Sequence, residues 1–206
     1  MLLKVCGLRE RNNVEEVLAI QPQWIGFIFE PSSSRYFLHA QQRASVFEID
    51  GDIKKVGVFV NEDTDVILHF HQEFALDLIQ LHGDESVDEC RQLNENGIKI
   101  IKAFRIDDSF NFSEVEKYAP YITLFLFDAQ GPLKGGNGIT FNWELLKNRR
   151  FGKPFLLSGG IGPETIPALL NFSHPDMIGI DVNSKFEVSP GVKDVKSLHL
   201  FQQQIA

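Results

Sequence analysis

The stretch Leu157-Ser158-Gly159-Gly160-Ile161 decides the fold, together with a second stretch, Gly179-Ile180-Asp181-Val182-Asn183-Ser184. In each, an apolar run gives way to small or polar residues, as a buried strand does where it opens into a loop. Glycines carry no side chain, so ligand oxygens can approach the backbone N–H groups closely. One such run alone fits a tight turn. Two of them at neighbouring strand ends favour a phosphate cradle, which (β/α)8 barrels place after strands seven and eight.

Apolar runs of strand length recur along the chain, separated by segments with helical spacing or charge. The predicted strands cover residues 2–6, 24–29, 55–60, 76–81, 98–104, 122–128, 154–158 and 177–181. The first predicted helix starts at Asn12 as its cap, with Glu15 completing a capping pattern. The other predicted helices cover residues 63–70, 86–94, 111–118, 141–146, 163–170 and 192–203, with a weaker candidate at 40–48.

This alternation predicts an α/β fold, a closed (β/α)8 TIM barrel that forms a single domain over residues 1–206. Near-continuous apolar strands fit a parallel sheet that is covered on both faces. The rival is a doubly wound open sheet, but no Gly-x-Gly-x-x-Gly motif follows the first strand.

The composition restricts the partners. A net charge of −8 disfavours nucleic acid and anionic membranes, because both would repel the protein. We therefore expect a small-molecule substrate, no nucleic acid and no membrane partner, in a chain that is a monomer or a homodimer. Two cysteines without metal-type spacing, and an N-terminus without a signal-peptide pattern, predict a cytoplasmic location. Eighteen phenylalanines against three tyrosines and two tryptophans predict aromatic packing between strands and helices.

Polar residues cluster at the predicted carboxyl ends of the strands, where (β/α)8 barrels carry their chemistry. In chain order they are Cys6, Arg35, His82, Asp128, Gly159, Gly160, Asp181, Asn183 and Ser184. Taken alone, Cys6 is typical of a small buried hydrophobe and Asp128 of a helix cap. Their occurrence together with two glycine or small-residue loops favours a functional interpretation.

Short motifs in one order along residues 4–194 resemble the signature of the phosphoribosylanthranilate isomerases, a family of tryptophan biosynthesis. The motifs are Lys4-Val5-Cys6-Gly7, Gly26-Phe27-Ile28-Phe29, Ser33-Ser34-Arg35, Gln80-Leu81-His82-Gly83, Phe127-Asp128, Gly135-Gly136-Asn137-Gly138 with Phe141 and Trp143, Ser158-Gly159-Gly160 and Pro190-Gly191-Val192-Lys193-Asp194. No single motif is decisive, but the ordered set is specific and covers nearly the whole chain.

The resemblance implies a single-domain barrel that uses no cofactor and no metal. It implies the conversion of N-(5-phosphoribosyl)anthranilate to 1-(2-carboxyphenylamino)-1-deoxyribulose 5-phosphate, an Amadori rearrangement from aldose to ketose. By the same resemblance, Cys6 is the general base and Asp128 is the general acid. The other expected site residues are Gly159, Gly160, Asn183 and Ser184 for the phosphate, and Arg35, His82 and Asp181 for the rest of the substrate.

The reaction sets physical conditions on the catalytic pair. An Amadori rearrangement needs an acid that protonates the ribose ring oxygen and a base that removes the proton on C2. A free thiol titrates at about 8.5 and a free aspartic acid at about 3.9. Cys6 therefore needs nearby positive charge or backbone amides, and Asp128 needs desolvation or a neighbouring carboxylate.

The substrate-binding residues have structural alternatives. Arg35 fits a substrate carboxylate, because a guanidinium binds both carboxylate oxygens in one plane, unless it is a solvated loop arginine. Asp181 either accepts hydrogen bonds from the substrate or holds the phosphate turn, and His82 either contacts substrate or braces its loop. Cys90 lies in a predicted helix of charged residues, and we expect it to pack in the core.

Three features leave alternatives open. The Ser-Ser-Gly usual in the family after strand eight is replaced by Asn183-Ser184-Lys185, so Lys185 either contacts the phosphate or redirects the loop. Gly135-Gly136-Asn137-Gly138 is predicted to form a flexible sixth loop over the site, or else an ordinary turn. His69 and His71 invite a metal interpretation, but residues two apart do not share a helix face.

Two other functions are compatible with the sequence. Another phosphosugar barrel enzyme is one of them: a histidine-pathway isomerase is expected to carry Asp where this chain has Cys6, and a Schiff-base aldolase needs a lysine inside the barrel, for which Lys102 is the candidate. A non-catalytic barrel that binds phosphometabolites or a partner enzyme is the other, and the presence of both Cys6 and Asp128 disfavours it.

Overall fold

The computed structural model describes residues 1–39, 49, 51–129 and 143–205. The weak helix predicted at residues 40–48 and the loop Gly135-Gly136-Asn137-Gly138 lie outside the described residues. Within the described part, no helix is long and apolar enough to cross a membrane.

Eight parallel strands form a closed barrel in which each strand pairs with the next along the chain and the last pairs with the first. They are β1 (Leu2–Val5), β2 (Trp24–Ile28), β3 (Lys54–Phe59), β4 (Leu78–Leu81), β5 (Ile100–Ile106), β6 (Leu124–Ala129), β7 (Phe155–Ser158) and β8 (Met177–Val182). The closing pair aligns Leu2 with Gly179 and Val5 with Val182. The predicted (β/α)8 barrel and its eight strands are confirmed, with boundaries shifted by at most two residues.

Six α-helices lie outside the barrel in the described residues. They are α1 (Arg11–Ala19), α2 (Thr64–Glu73), α3 (Val87–Glu95), α4 (Glu144–Lys147), α5 (Ile166–Asn171) and α6 (Val195–Ile205). A short antiparallel pair, β9 (Glu187–Ser189) and β10 (Val192–Lys193), is inserted between β8 and α6. Helix α3 starts with a capping box, since the side chain of Ser86 accepts from Glu89 N and the side chain of Glu89 accepts from Ser86 N.

The predicted start of the first helix is wrong. Helix α1 begins at Arg11, after Glu10, and no side chain caps it. The Asn13 side chain is buried, and it donates to the Lys193 carbonyl at 2.9 Å and accepts from the Lys193 N–H at 2.7 Å. Asn12 therefore lies inside the first turn and caps nothing, and its neighbour Asn13 is held by a long-range partner on β10.

Three other helix predictions need correction. Residues 112–117 form a 3-10 helix where an α-helix was predicted at 111–118. Residues 192 and 193 lie in β10, so α6 starts at Val195 and not at Val192. The segment 163–170 divides into a 3-10 helix (Pro163–Thr165) and α5, and of the predicted helix 141–146 the described part begins at residue 143.

Because side chains alternate between the two faces of each strand, they form two separate hydrophobic cores. Every second strand residue faces the inside of the barrel, where Val56, Leu78, Ile101, Leu124 and Leu156 pack together. The other face packs against the helices in a layer rich in phenylalanine, which confirms the predicted aromatic filling. Cys90 is fully buried in this outer layer, as predicted.

Candidate active site

The predicted site residues surround one pocket at the carboxyl ends of the strands. The pocket has a volume of about 220 Å³. Eight of the nine predicted residues line it: Cys6, His82, Asp128, Gly159, Gly160, Asp181, Asn183 and Ser184. Arg35 is not among the lining residues and lies beside the pocket, over Gly7.

Cys6 follows β1, and its N–H donates to the Val182 carbonyl at 2.9 Å, which continues the closing strand pair. Because side chains alternate along a strand, Lys4 faces the barrel interior with Cys6. Lys4 is fully buried and its Nζ lies 2.9 Å from Asp181 Oδ1 on β8. A Cβ atom at Gly26 would lie 2.8 Å from Cys6 Sγ and 3.2 Å from Lys4 Nζ, so glycine at this position leaves room for both groups.

Burial and charge act against each other in this group. Burial raises the pKa of the Cys6 thiol, and the positive charges of Lys4 and Lys193 oppose that shift only in part. Burial disfavours the Lys4 ammonium, but the charge of Asp181 and the nearby Cys6 outweigh it and raise the pKa of Lys4. Burial also raises the pKa of Asp181 against the charge of Lys4. Burial thus works against the thiolate of Cys6, and the charge of Lys4 works in its favour.

Asp128 lies near the end of β6 and contacts His82, which follows β4 and is in turn bonded to Gln80 on that strand. His82 Nε2 lies 3.0 Å from Asp128 Oδ2, and His82 Nδ1 lies 2.8 Å from Gln80 Nε2. When the Gln80 amide donates to Nδ1, the ring proton lies on Nε2 and points to Asp128. His82 thus braces the Asp128 carboxyl group, a contact that neither of the two sequence alternatives for His82 included.

The loop after β7 has the conformation that its glycines allow. Gly159 and Gly160 have φ angles of 92° and 65°, in the left-handed region that favours glycine. The loop is tied to the following 3-10 helix by Thr165, whose buried hydroxyl accepts from Gly162 N at 3.1 Å and donates to Gly162 O at 2.8 Å. The loop is therefore held in place, with bare backbone at the pocket wall.

Lys185 lines the pocket next to Ser184 but is already paired. Its Nζ lies 2.7 Å from Glu164 Oε1, and about two-fifths of each side chain is exposed. The salt bridge connects the loop after β8 with the 3-10 helix after β7. Lys185 therefore links the two loops that were predicted to bind phosphate.

Arg35 is held by an acidic residue that was not predicted. Its Nε and Nη2 donate to the Glu187 carboxylate at 2.9 and 2.6 Å, and Lys193 Nζ donates to the same carboxylate at 2.7 Å. Lys193 also donates to Asn183 Oδ1 at 2.6 Å. Hydrogen bonds from Arg35 and Lys193 outweigh burial and lower the pKa of Glu187. The β9–β10 insertion thus fixes the guanidinium at the pocket edge.

Four residues of the site were not singled out from the sequence: Lys4, Gln80, Glu187 and Lys193. A signal existed for Lys4, because a lysine two residues before Cys6 in an apolar strand must share its face. Lys193 lies in one of the family motifs, but Glu187 carried no signal, since it meets Lys193 only through the β9–β10 pairing.

Lys102 does not enter this pocket. Its Nζ donates to the Gly83 carbonyl at 2.7 Å and to Glu85 Oε2 at 2.8 Å, on the outer face of β5. A lysine fixed in this way is not a Schiff-base nucleophile inside the barrel, so the aldolase alternative loses its residue. His69 pairs with Glu73, and the described residues contain no group of three or more metal-ligating side chains.

A closed parallel barrel with ionisable groups around a pocket at its carboxyl end is the architecture of a (β/α)8-barrel enzyme. A family model described as N-(5'-phosphoribosyl)anthranilate (PRA) isomerase matches residues 3–204. The chain therefore belongs to the N-(5'-phosphoribosyl)anthranilate isomerase family, a family of tryptophan biosynthesis, and it is an isomerase.

Relatives and solved structures of the same family also match this chain. The chain is 43% identical to N-(5'-phosphoribosyl)anthranilate isomerase of Parabacteroides distasonis, covering 100% of this chain and 93% of the relative. It is 40% identical to that of Phocaeicola vulgatus, covering 100% and 98%. The phosphoribosyl anthranilate isomerase structure from Thermotoga maritima matches with a TM-score of 0.86 and 31% identity, over 100% of this chain and 98% of that one. A structure in complex with reduced 1-(o-carboxyphenylamino)-1-deoxyribulose 5-phosphate matches with a TM-score of 0.84 and 29% identity, over 100% and 98%.

Proposed function

We propose that this chain converts N-(5-phosphoribosyl)anthranilate to 1-(2-carboxyphenylamino)-1-deoxyribulose 5-phosphate with Cys6 as general base and Asp128 as general acid. The observation that carries the proposal is the single pocket that contains both side chains together with Gly159 and Gly160. An acid, a base and a phosphate loop at one barrel mouth are the parts that this rearrangement needs.

The reaction proceeds in two proton transfers. Asp128 donates a proton to the furanose ring oxygen, the C1–O bond breaks, and the anthranilate nitrogen supplies the electron pair that forms the imine. The Cys6 thiolate then removes the proton on C2, which gives an enolamine that tautomerises to the ketose. His82 is a positioning residue for Asp128, since its Nε2 lies 3.0 Å from the carboxyl oxygen.

The substrate is held at both ends. The backbone N–H groups of the Gly159-Gly160 loop and of Asn183 and Ser184 bind the phosphate. Arg35 binds the anthranilate carboxylate, with its guanidinium oriented by Glu187. Asp181, which lines the pocket, accepts hydrogen bonds from the ribose hydroxyls. This arrangement needs no metal or cofactor.

One chain supplies all of these groups, so a single barrel domain is a complete catalytic unit in a monomer or in a homodimer. The Thermotoga maritima relative is described as dimeric. We assign the reaction to the cytoplasm, where the two free thiols stay reduced. Sedimentation velocity over a range of protein concentrations would separate the two assembly states, and turnover per chain is expected to be the same in both.

The test of the assignment is loss of turnover in Cys6→Ala and in Asp128→Asn. Each is expected to lower kcat by a factor of about 10² or more with the barrel intact, because each removes a proton-transfer group. Substrate consumption is followed by the change in anthranilate fluorescence, and the fold by circular dichroism. Cys90→Ala is the matched control, since it removes the other cysteine from the outer core. Near-normal turnover in either catalytic variant would refute the pair.

A second test addresses substrate orientation. Arg35→Ala is expected to raise KM much more than it lowers kcat, because the lost contact holds the carboxylate in both ground and transition states. An unchanged KM would place the anthranilate carboxylate elsewhere.

A further inference from the structure

Lys4 on β1 and Cys6 directly after it both face the barrel interior, at the space beside Gly26. Lys4 has 0% exposure, although an ammonium is costly to bury. Both Lys4 Nζ and Cys6 Sγ lie over Gly26, within 3.2 Å and 2.8 Å of the position that its missing Cβ would occupy. Among the described residues, the hydrogen-bond partner of Lys4 Nζ is Asp181 Oδ1 at 2.9 Å.

We propose that Lys4 is a positioning residue whose buried ammonium stabilises the thiolate form of Cys6 and so supplies the base that removes the C2 proton. This inference rests on the proposed function, because it assigns a partner to the proposed base. Lys4 does not reach the reacting atoms itself. It acts through the charge that it holds beside the sulfur.

The surroundings of Cys6 explain why such a charge is needed. Burial disfavours the thiolate most strongly, and Asp181 on β8 adds repulsion. Lys4 opposes both effects, and Lys193 on β10 adds a smaller positive contribution. Arg35 after β2 faces the thiol from the rim, while His82 after β4 and Asp128 on β6 face Asp181 from across the pocket. Lys4 is the cation that acts on the sulfur most strongly.

A purely structural role would account for Lys4 less well. The interior layer below it is filled by apolar side chains such as Val56 and Leu78, and a buried ion pair is often no more stabilising than apolar residues of the same volume. A lysine in this layer is explained if its charge has a use. The nearby thiol, which lines the pocket, provides that use.

The first test measures the rate at which iodoacetamide alkylates Cys6 in the ligand-free enzyme as a function of pH, with the modified peptide identified by mass spectrometry. Lys4→Met keeps the length of the side chain and removes its charge. We expect alkylation at pH 8 to be slower by about tenfold or more, and the midpoint of the pH profile to move to higher pH. Lys102→Met is the matched control, because it breaks the other buried lysine–carboxylate pair and leaves Lys4 in place.

The second variant is expected to change the alkylation rate of Cys6 in the opposite direction. Asp181→Asn removes the repelling carboxylate and leaves the ammonium beside the sulfur, so alkylation is expected to become faster and its midpoint to move to lower pH. Loosening of the structure alone would speed up alkylation in both variants. Equal or faster alkylation in Lys4→Met would overturn the proposal. If Lys4→Met does not fold, unchanged or slower alkylation in Asp181→Asn overturns it.

The outcomes separate this inference from the proposed function. If Cys6→Ala keeps its turnover while Lys4→Met slows alkylation, the assignment of Cys6 as base is wrong and the electrostatic link between Lys4 and Cys6 stands. If Cys6→Ala abolishes turnover while Lys4→Met alkylates like the unaltered enzyme, the assignment of Lys4 alone is wrong. When both hold, the acid limb of kcat/KM in Lys4→Met moves to higher pH together with the alkylation profile.

Discussion

The chain places a cysteine beside a buried lysine–carboxylate pair in two regions, and only one of them opens on the pocket. The interior trio comprises Cys6, Lys4 and Asp181, and the outer trio comprises Cys90, Lys102 and Glu85. The two salt bridges have nearly equal lengths, 2.9 Å and 2.8 Å, and all four charged side chains are at most 5% exposed. Composition and burial therefore do not distinguish the trios.

What the charged groups bind distinguishes them. In the outer trio, Lys102 also donates to the Gly83 carbonyl, and Glu85 accepts from the N–H groups of Gly83 and Asn61 at 3.0 and 2.9 Å. The pair is used to hold the loops after β3 and β4. In the interior trio, Lys4 has Asp181 and Cys6 as its partners, and Cys6 and Asp181 line the pocket. The face of the strand decides whether the same groups support a loop or a reaction.

Thiol reactivity gives the largest expected difference between the interior trio and the outer trio. Burial raises the pKa of Cys90 to about 12, so about one molecule in ten thousand carries its thiolate at pH 8. Cys90 also lies closed in the core, whereas Cys6 lines the pocket. We expect iodoacetamide to label Cys6 at least about 100-fold faster than Cys90 in the native protein. Equal labelling of the two peptides would show that the trios do not differ in access or charge.

The next largest effect concerns stability. Lys102→Met leaves Glu85 buried without its cation, and we expect the free energy of unfolding to fall by about 3 kcal/mol, measured by urea denaturation. The double variant Lys102→Met/Glu85→Gln removes the buried charge as well and should recover part of the loss. A loss below about 1 kcal/mol in the single variant would mean that the loop contacts of Glu85 alone hold the region.

A smaller effect is expected at the rim, where Glu187 joins Arg35 to Lys193. Because the pKa of Glu187 is lowered in the folded protein, its contribution to stability is complete above about pH 4.5 and is lost as the pH falls below that value. Glu187→Gln should therefore lower the unfolding free energy by about 1 kcal/mol at pH 7 and by less at pH 3. Urea titrations at the two pH values check this, and an equal loss at both would contradict an electrostatic origin.

The smallest effect is expected for Lys185. Its salt bridge with Glu164 is largely exposed, so Lys185→Met should change the unfolding free energy by less than about 1 kcal/mol. The KM of this variant then shows whether Lys185 contacts the phosphate. If KM stays within about twofold, Lys185 only connects the two loops, whereas a tenfold rise would add a direct contact with the phosphate.

The sequence predicted those parts that depend on local periodicity. All eight strands and most of the pocket follow from apolar runs and the residues that end them. The contacts that could not be predicted join distant segments, as at Asn13, whose side chain bonds the backbone of Lys193. The salt bridge between Glu187 and Arg35 could not be predicted either, because 152 residues separate them along the chain.

The Lys4–Asp181 bridge spans 177 positions and lies at the junction where the first strand meets the last. The electrostatic setting of Cys6 therefore does not exist in any fragment that lacks either end of the chain. During synthesis the thiol emerges early, as an ordinary cysteine, and acquires its charged neighbours only when the final strand docks. Completion of the ring and assembly of the charges around this thiol are one event.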